Sequence, residues 1–185
     1  SRFLQKDFGW RRKENRGLPP TSRYWTDMLT VRAQDRKKLT SFRDAYTPAM
    51  AGISIENATQ NDTWSVLKMI AREKLNPIAL NMNNFVVAKE QTHGHVVGAG
   101  QIKSIGRVGD RNAFELSSIV VDDAYRGQGI GKSIVRQILD AKAPADAEIF
   151  LLTVEDREGF YTPFGFQKTS DAPLLLSLEK RIGSV

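Results

Sequence analysis

The segment from Ile119 to Leu139 constrains this chain more than any other. An apolar, β-branched run, Ile119 to Val121, enters it, and a helix-patterned stretch, Ile130 to Leu139, leaves it. Between them lies a glycine-dense strand-to-helix turn, Arg126-Gly127-Gln128-Gly129-Ile130-Gly131. The first turn of a helix exposes N–H groups and carries roughly half a positive charge, so an anion binds there readily. Glycine lets the main chain approach a phosphate with no Cβ in the way.

Counting tests which phosphate-binding turn this is. A P-loop needs glycine, four residues, then Gly-Lys-Ser/Thr. Gly131-Lys132-Ser133 supplies the end, but the first glycine falls on Arg126. A dinucleotide fingerprint needs Gly-x-Gly-x-x-Gly, and its third glycine falls on Lys132. A third pattern, Arg/Gln-x-x-Gly-x-Gly/Ala, fits without adjustment over Arg126 to Gly131.

This third pattern resembles the acetyl-CoA pyrophosphate loop of the GNAT superfamily of N-acetyltransferases. The stretch from Glu115 to Arg126 is similar to that family's fourth strand and the loop after it. Downstream, Glu158-Gly159-Phe160-Tyr161-Thr162-Pro163-Phe164-Gly165-Phe166 resembles the family's C-terminal motif, Phe-Tyr-x-x-x-Gly-Phe. The two motifs stand in the family's order with a strand between them. The resemblance covers residues 53–180 and leaves out the first fifty.

Composition excludes several classes. Hydrophobic residues are 41% and charged residues 26% of the 185, as in globular proteins with a substantial core. No apolar run approaches the length of a membrane span, and no secretory signal pattern opens the chain. Cysteine is absent, which removes disulfides, thiolate metal sites and a cysteine nucleophile. An intracellular, cytoplasmic location is therefore expected, or an organelle if a targeting peptide has been removed ahead of Ser1. The net charge of +6 is uneven. Residues 1–50 hold 12 Lys/Arg against 5 Asp/Glu, and residues 51–185 hold 15 against 16.

Two regions are expected: a basic N-terminal extension over 1–50 and an acetyltransferase domain over 51–185. The extension reads as partly irregular, with a helix from Thr26 to Tyr46, and Thr47-Pro48 and Gly52 mark the boundary. Ile53–Asn57 alternates like a strand. A helix capped by Asn61 or Asp62 runs to about Leu75. Phe85–Lys89 and Val96–Ile105 form a hairpin, 106–112 a turn, and Ala113–Val121 a strand. Ile130, Ile134, Val135, Ile138 and Leu139 mark one buried helix face. Glu148–Val154 is a strand, Asp156–Phe164 a short helix, and Phe166–Leu178 holds the last strand or hairpin. The fold class is mixed α/β. The resemblance implies a central twisted mixed sheet whose fourth and fifth strands splay, with helices on both faces and the cofactor's pantetheine arm in the gap.

Moving an acetyl group from a thioester to an amine requires a base for the amine, a donor for the oxyanion and a proton or hydrogen bond for the thiolate. The resemblance assigns these roles. Backbone N–H groups of Gln128, Gly129, Ile130, Gly131 and Lys132 hold the pyrophosphate, with Gly127 in the turn and Arg126 and Lys132 adding charge. Ser118, Ile119, Val120 and Val121 offer main-chain groups to the pantetheine amides, and the amide of Ile119 or Val120 is the oxyanion donor. Tyr161 is the general acid, since a phenol with its usual pKa near ~10 is protonated at neutral pH. Glu115 is the general base, its carboxyl raised by apolar Phe114 and Leu116 beside it. Asp122, Glu155 and an ordered water are alternatives. His93-Gly94-His95 reads as an exposed turn, and no metal is expected.

These assignments predict direct acetyl transfer from acetyl-CoA to a primary amine in a ternary complex. The acceptor is left open between small amines and protein amines. A homodimer is compatible with the sequence. A rival of another class is a non-catalytic binding module that docks on RNA, a ribosome or another acidic partner. It would use Arg11, Arg12, Lys13, Arg16, Arg23, Arg36, Lys37 and Lys38, with Trp10, Tyr24 and Trp25 as stacking groups.

Overall fold

The structure, a computed structural model, describes residues 27–31, 52–73, 75, 80–153 and 157–169. Seven strands form one sheet: β1 (Asp27–Val31), β2 (Ile53–Asn57), β3 (Phe85–Glu90), β4 (Val96–Val108), β5 (Arg111–Val121), β6 (Glu148–Thr153) and β7 (Gln167–Lys168). Their order is β2-β3-β4-β5-β6-β1-β7. Every neighbour is antiparallel except β5 and β6, which run parallel. Among the described residues three α-helices accompany the sheet: α1 (Thr63–Arg72), α2 (Ile130–Gln137) and α3 (Glu158–Tyr161).

Strand alternation puts each helix on its own face. On β3, Val86 and Ala88 join the core beneath Ile130, Ile134, Val135 and Ile138 of α2. Phe85 and Val87 join Val66, Met69 and Ile70 of α1 on the other side. A third, smaller cluster of Met28, Ile105, Ala113 and Phe150 lies further along. Close backbone approach seats α2 on β4. A Cβ at Gly100 would fall 2.5 Å from Ile119 Cδ1 and 2.8 Å from Ile134 Cγ2.

Several expectations are corrected. Asp27–Val31 is a strand and not the start of a helix. All five of its residues pair with β6, and the sequence neighbours Met28 and Leu29 fall in different core clusters, which is period-two packing. The sheet thus takes in a segment of the first fifty residues. The rest of the expected helix, to Tyr46, lies outside the described residues. Asp62 precedes α1 but its carboxylate does not cap it; it instead accepts from the Thr59 N–H and hydroxyl, both at 2.8 Å. The expected turn over 106–112 shrinks to Gly109 and Asp110, and β4 runs through Gly106 on a register shift, with φ at 99°. The helical backbone beyond α2 continues as a π-turn over Ile138–Lys142.

Candidate active site

The parting of β5 from β6 organises the site. They pair only through Ala113↔Glu148, Phe114↔Ile149 and Glu115↔Phe150. Beyond Glu115, β5 continues for six residues toward the glycine turn without β6 beside it. These are the strands corresponding to the fourth and fifth of the implied fold, and they splay as that fold requires.

A bulge marks β5 within the unpaired stretch. Ser117 pairs with Gln101 and Val120 with Ala99, so Ser118 and Ile119 together face Gly100. Two residues against one leaves a backbone group out of the ladder and bends the strand. Ser118 sits at φ 56°, the left-handed region, and is the one such non-glycine among the described residues. A non-glycine residue held there is strained and needs surrounding structure to keep it. Gln101 Nε2 donates to Ser118 Oγ at 3.0 Å.

The glycine turn follows. Asp122 starts a 3-10 turn over Asp123–Tyr125 by accepting from the Ala124 N–H at 3.1 Å. Gly127 and Gly129 both take positive φ, 79° and 85°, and Gly129 is the N-cap of α2. Glycine at the cap brings no side chain to accept from the first-turn N–H groups, so an anion can take that place. Arg126 does not project from the turn as a lone cation. Its Nε donates to the Val121 carbonyl at 3.1 Å, and its guanidinium pairs with Glu73 at the end of α1 and with Asp123 at 2.9 Å. Arg72 pairs with Asp122 at 2.9 Å. The Ala124 N–H, with Arg72 beside it, holds the Asp122 carboxyl below its usual value. Two ion pairs therefore tie the C-terminal end of α1 to the turn, and Asp122 is committed to structure.

α3 brings the C-terminal motif to the same place. Phe160 lies against Gly131 in the first turn of α2, and Tyr161 packs edge-on to Phe160 and Phe166 at 4.8 and 5.9 Å between centroids. Burial pushes the Tyr161 hydroxyl up to about 12, against a small opposing pull from Arg157. The phenol thus stays protonated throughout the neutral range.

Glu115 is buried on β5 beside Lys103, whose Nζ is 2.8 Å from Oε2. The expected apolar neighbours do not surround it. Alternation turns Phe114 and Leu116 to the α2 face, while Glu115 lies on the α1 face with Ala113 and Ser117. Its partner is a lysine on the adjacent strand, visible only once the β4–β5 register is known. Gln101 and Ser117 on that face were not singled out from the sequence either. His93 and His95 are exposed in the β3–β4 turn, stacked at 5.7 Å, and the described residues hold no cluster of three metal-ligating side chains. No described helix is long and apolar enough to cross a membrane. Glu155 and the basic residues of the N-terminal region lie outside the described residues.

The site can be compared with known proteins. A family model described as an acetyltransferase (GNAT) domain matches residues 81–168. No curated protein matches. Among solved structures, an acetyltransferase of Trypanosoma brucei superposes with a TM-score of 0.51 at 20% identity, covering 65% of this chain and 96% of its own. N-acetylglutamate synthase from Neisseria gonorrhoeae, complexed with coenzyme A and N-acetyl-glutamate, gives 0.56 at 16% identity over 71% of this chain and 32% of its own. This chain therefore spans about a third of that protein's length. Glucosamine-6-phosphate N-acetyltransferase from Arabidopsis thaliana gives 0.52 at 15%, over 65% and 95%. At these identities the likeness to solved structures is one of fold. Residues 81–168 thus resemble a GNAT acetyltransferase domain, and the sheet, the parted strands and the glycine turn at the head of α2 agree with the fold of these acetyltransferases.

Proposed function

We infer that the protein transfers an acetyl group from acetyl-CoA to a primary amine by direct attack in a ternary complex. The observation that carries this reading is the opening between β5 and β6 beyond Glu115, with the glycine turn at one end and Tyr161 packed beside it. The neighbour with coenzyme A and N-acetyl-glutamate bound shares this fold.

The residues fit such a substrate. First-turn N–H groups of α2 and the turn before it would meet the pyrophosphate, with Lys132 adding charge. Arg126, paired with Glu73 and Asp123, serves mainly to hold the turn in shape. Main-chain groups of Ser118 to Val121 lie on the open flank of β5 and would bind the pantetheine amides. The bulge at Ser118 and Ile119 leaves a backbone group out of the regular ladder, and an amide so released would suit the thioester oxygen. Tyr161 carries a proton for the departing thiolate. Glu115, on the α1 face of the same strand, is the candidate base for the amine. No cysteine exists to carry an acetyl group, which favours direct transfer. Holding both reactants supplies much of the acceleration, about 7–11 kcal/mol in well-oriented cases.

The acceptor is a primary amine, on a small molecule or on a protein. A screen of amines and peptides with detection of released thiol tests the reading. Acceptor-dependent thiol release is the expected result, and binding of acetyl-CoA without release to any amine would reduce the protein to a sensor or binding module.

A further inference from the structure

The faces of β5 change over at Ser118. Before it, the even-numbered Phe114 and Leu116 pack with α2, and Ala113 lies on the other side. After it, the odd-numbered Ile119 and Val121 join the α2 core, and Val120 joins the α1 core. A regular strand cannot do this, because its side chains alternate without a break. Ser118 is the extra residue that absorbs the slip, set with Ile119 against Gly100 and held at φ 56°. The part of β5 that runs on without β6 therefore owes its orientation to one strained residue.

Two features hold the slip in place. On the α2 face, Gly100 makes room for Ile119, whose Cδ1 would lie 2.5 Å from a Cβ built there. From the α1 face, Gln101 Nε2 donates to Ser118 Oγ at 3.0 Å. Gln101 is only 4% exposed, so bulk water does not compete for that bond. Its own Oε1 accepts no hydrogen bond. A buried carbonyl oxygen without a donor is unfavourable, and rare enough in folded proteins to need an explanation. An apolar side chain of the same shape would fill the space and avoid that cost. What the glutamine adds is its donor, and the donor goes to Ser118.

We propose that Gln101 is a positioning residue: its side-chain amide pins Ser118 in the left-handed region and thereby fixes the main chain of Ser118 to Val121 at the opened flank of β5. This rests on the acetyl-transfer reading, which gives those main-chain groups to the pantetheine arm and the thioester oxygen. Gln101 itself touches no substrate. Without the strap, a serine relaxes toward extended backbone, and the main-chain groups after it lose their aim. The nucleotide end of the cofactor, assigned to the glycine turn at the head of α2, does not depend on the strap.

Calorimetry on the full chain tests this with acetyl-CoA and, in parallel, with adenosine 3′,5′-bisphosphate, which has no pantetheine arm. Gln101→Met keeps the side chain's length and loses the donor. It should weaken acetyl-CoA about ten-fold, the worth of one well-placed hydrogen bond, and leave the bisphosphate within about two-fold. Adding Ser118→Gly to Gln101→Met should bring acetyl-CoA back to within about three-fold of wild type, because glycine takes a positive φ without a strap. A glutamine that merely fills the core would not be rescued in this way. Ser118→Ala removes the other end of the bond without that freedom and should copy the loss. It stands in if Gln101→Met does not fold, and Ser118→Gly should then bind acetyl-CoA more tightly than Ser118→Ala. Unchanged acetyl-CoA affinity in both Gln101→Met and Ser118→Ala, an equal loss for both ligands, or a double variant no better than Gln101→Met overturns the proposal and leaves the acetyl-transfer reading standing. No acetyl-CoA binding by the wild type removes that reading and the proposal with it.

Discussion

Phe160 lies against the backbone of Gly131: a Cβ built on that glycine would sit 3.3 Å from Phe160 Cζ and 3.6 Å from Val121 Cγ2. Two motifs about thirty residues apart thus meet at the first turn of α2. The absence of a side chain at position 131 is what lets α3 lie there with Tyr161 alongside. Gly131→Val should push α2 and α3 apart. We expect a loss of about 1–3 kcal/mol, as for overpacked sites, and at least ten-fold weaker acetyl-CoA binding. Urea denaturation and calorimetry check the two effects. Unchanged values in both would show that the contact does not set the geometry of the turn.

Tyr161→Phe keeps the ring packing with Phe160 and Phe166 and removes only the hydroxyl. Turnover should fall about a hundred-fold or more, within the usual range for a general acid, with acetyl-CoA affinity near normal. The pH dependence has a definite sign. The folded value of about 12 lies above the ordinary ~10, so the protonated donor persists through the neutral and mildly basic range. Activity lost to ionisation of this phenol should therefore appear only well above pH ~10. A basic limb near pH 8 that vanishes in Tyr161→Phe would contradict the environment described.

Glu115→Gln separates a catalytic from a structural carboxylate. The substitution keeps size but replaces one acceptor oxygen with an NH2 donor and removes the negative charge facing Lys103. As the base, Glu115 should cost at least ten-fold in kcat with little change in acetyl-CoA affinity, and the acidic limb of the pH–rate profile should move or vanish. A variant with full kcat and a lowered melting temperature would make the ion pair structural.

The β2–α1 corner is held by one buried carboxylate. Asp62 accepts twice from Thr59 and pairs with Lys89 at 2.9 Å, while Lys89 also reaches Glu56 at 2.7 Å. Burial alone would raise the Asp62 carboxyl, but the Thr59 N–H, Lys89 and the Thr59 hydroxyl outweigh it and hold it below its usual value. A depressed carboxyl stabilises the fold above the ordinary value near ~4 and loses that contribution as pH falls through the folded value. Asp62→Ala should cost about 1–3 kcal/mol at neutral pH and flatten the acid side of the stability profile. Urea titrations at pH 3 to 7 measure both.

What could be read from the chain, and what could not, divides along local and long-range lines. The glycine turn, the buried face of α2 and the β3–β4 hairpin depend on residues near one another, and each lies where the periodicity puts it. Asp27–Val31 could not be read, because five residues show no clear period and their strand character comes from pairing with β6, more than a hundred positions away. Glu115 was singled out, but its surroundings were not. Its flanking residues face the other side of the sheet, and its partner Lys103 is fixed by a register with two irregularities. Gln101 shows the same limit. In sequence it is one polar residue in an apolar run, and its isolation emerges only when Ser117 and Ser118 are brought opposite. Nothing in a serine's identity announces a left-handed backbone at Ser118.

Acetyl transfer by this fold requires anion binding by main chain at the head of α2. Calorimetric titration of acetyl-CoA into the wild type and into Gly129→Glu tests it most directly. A carboxylate there would occupy the anion site, and the glycine's φ of 85° disfavours any side chain. Saturable 1:1 binding by the wild type that disappears in Gly129→Glu is the predicted result; no binding by the wild type, or equal binding by the variant, would contradict it.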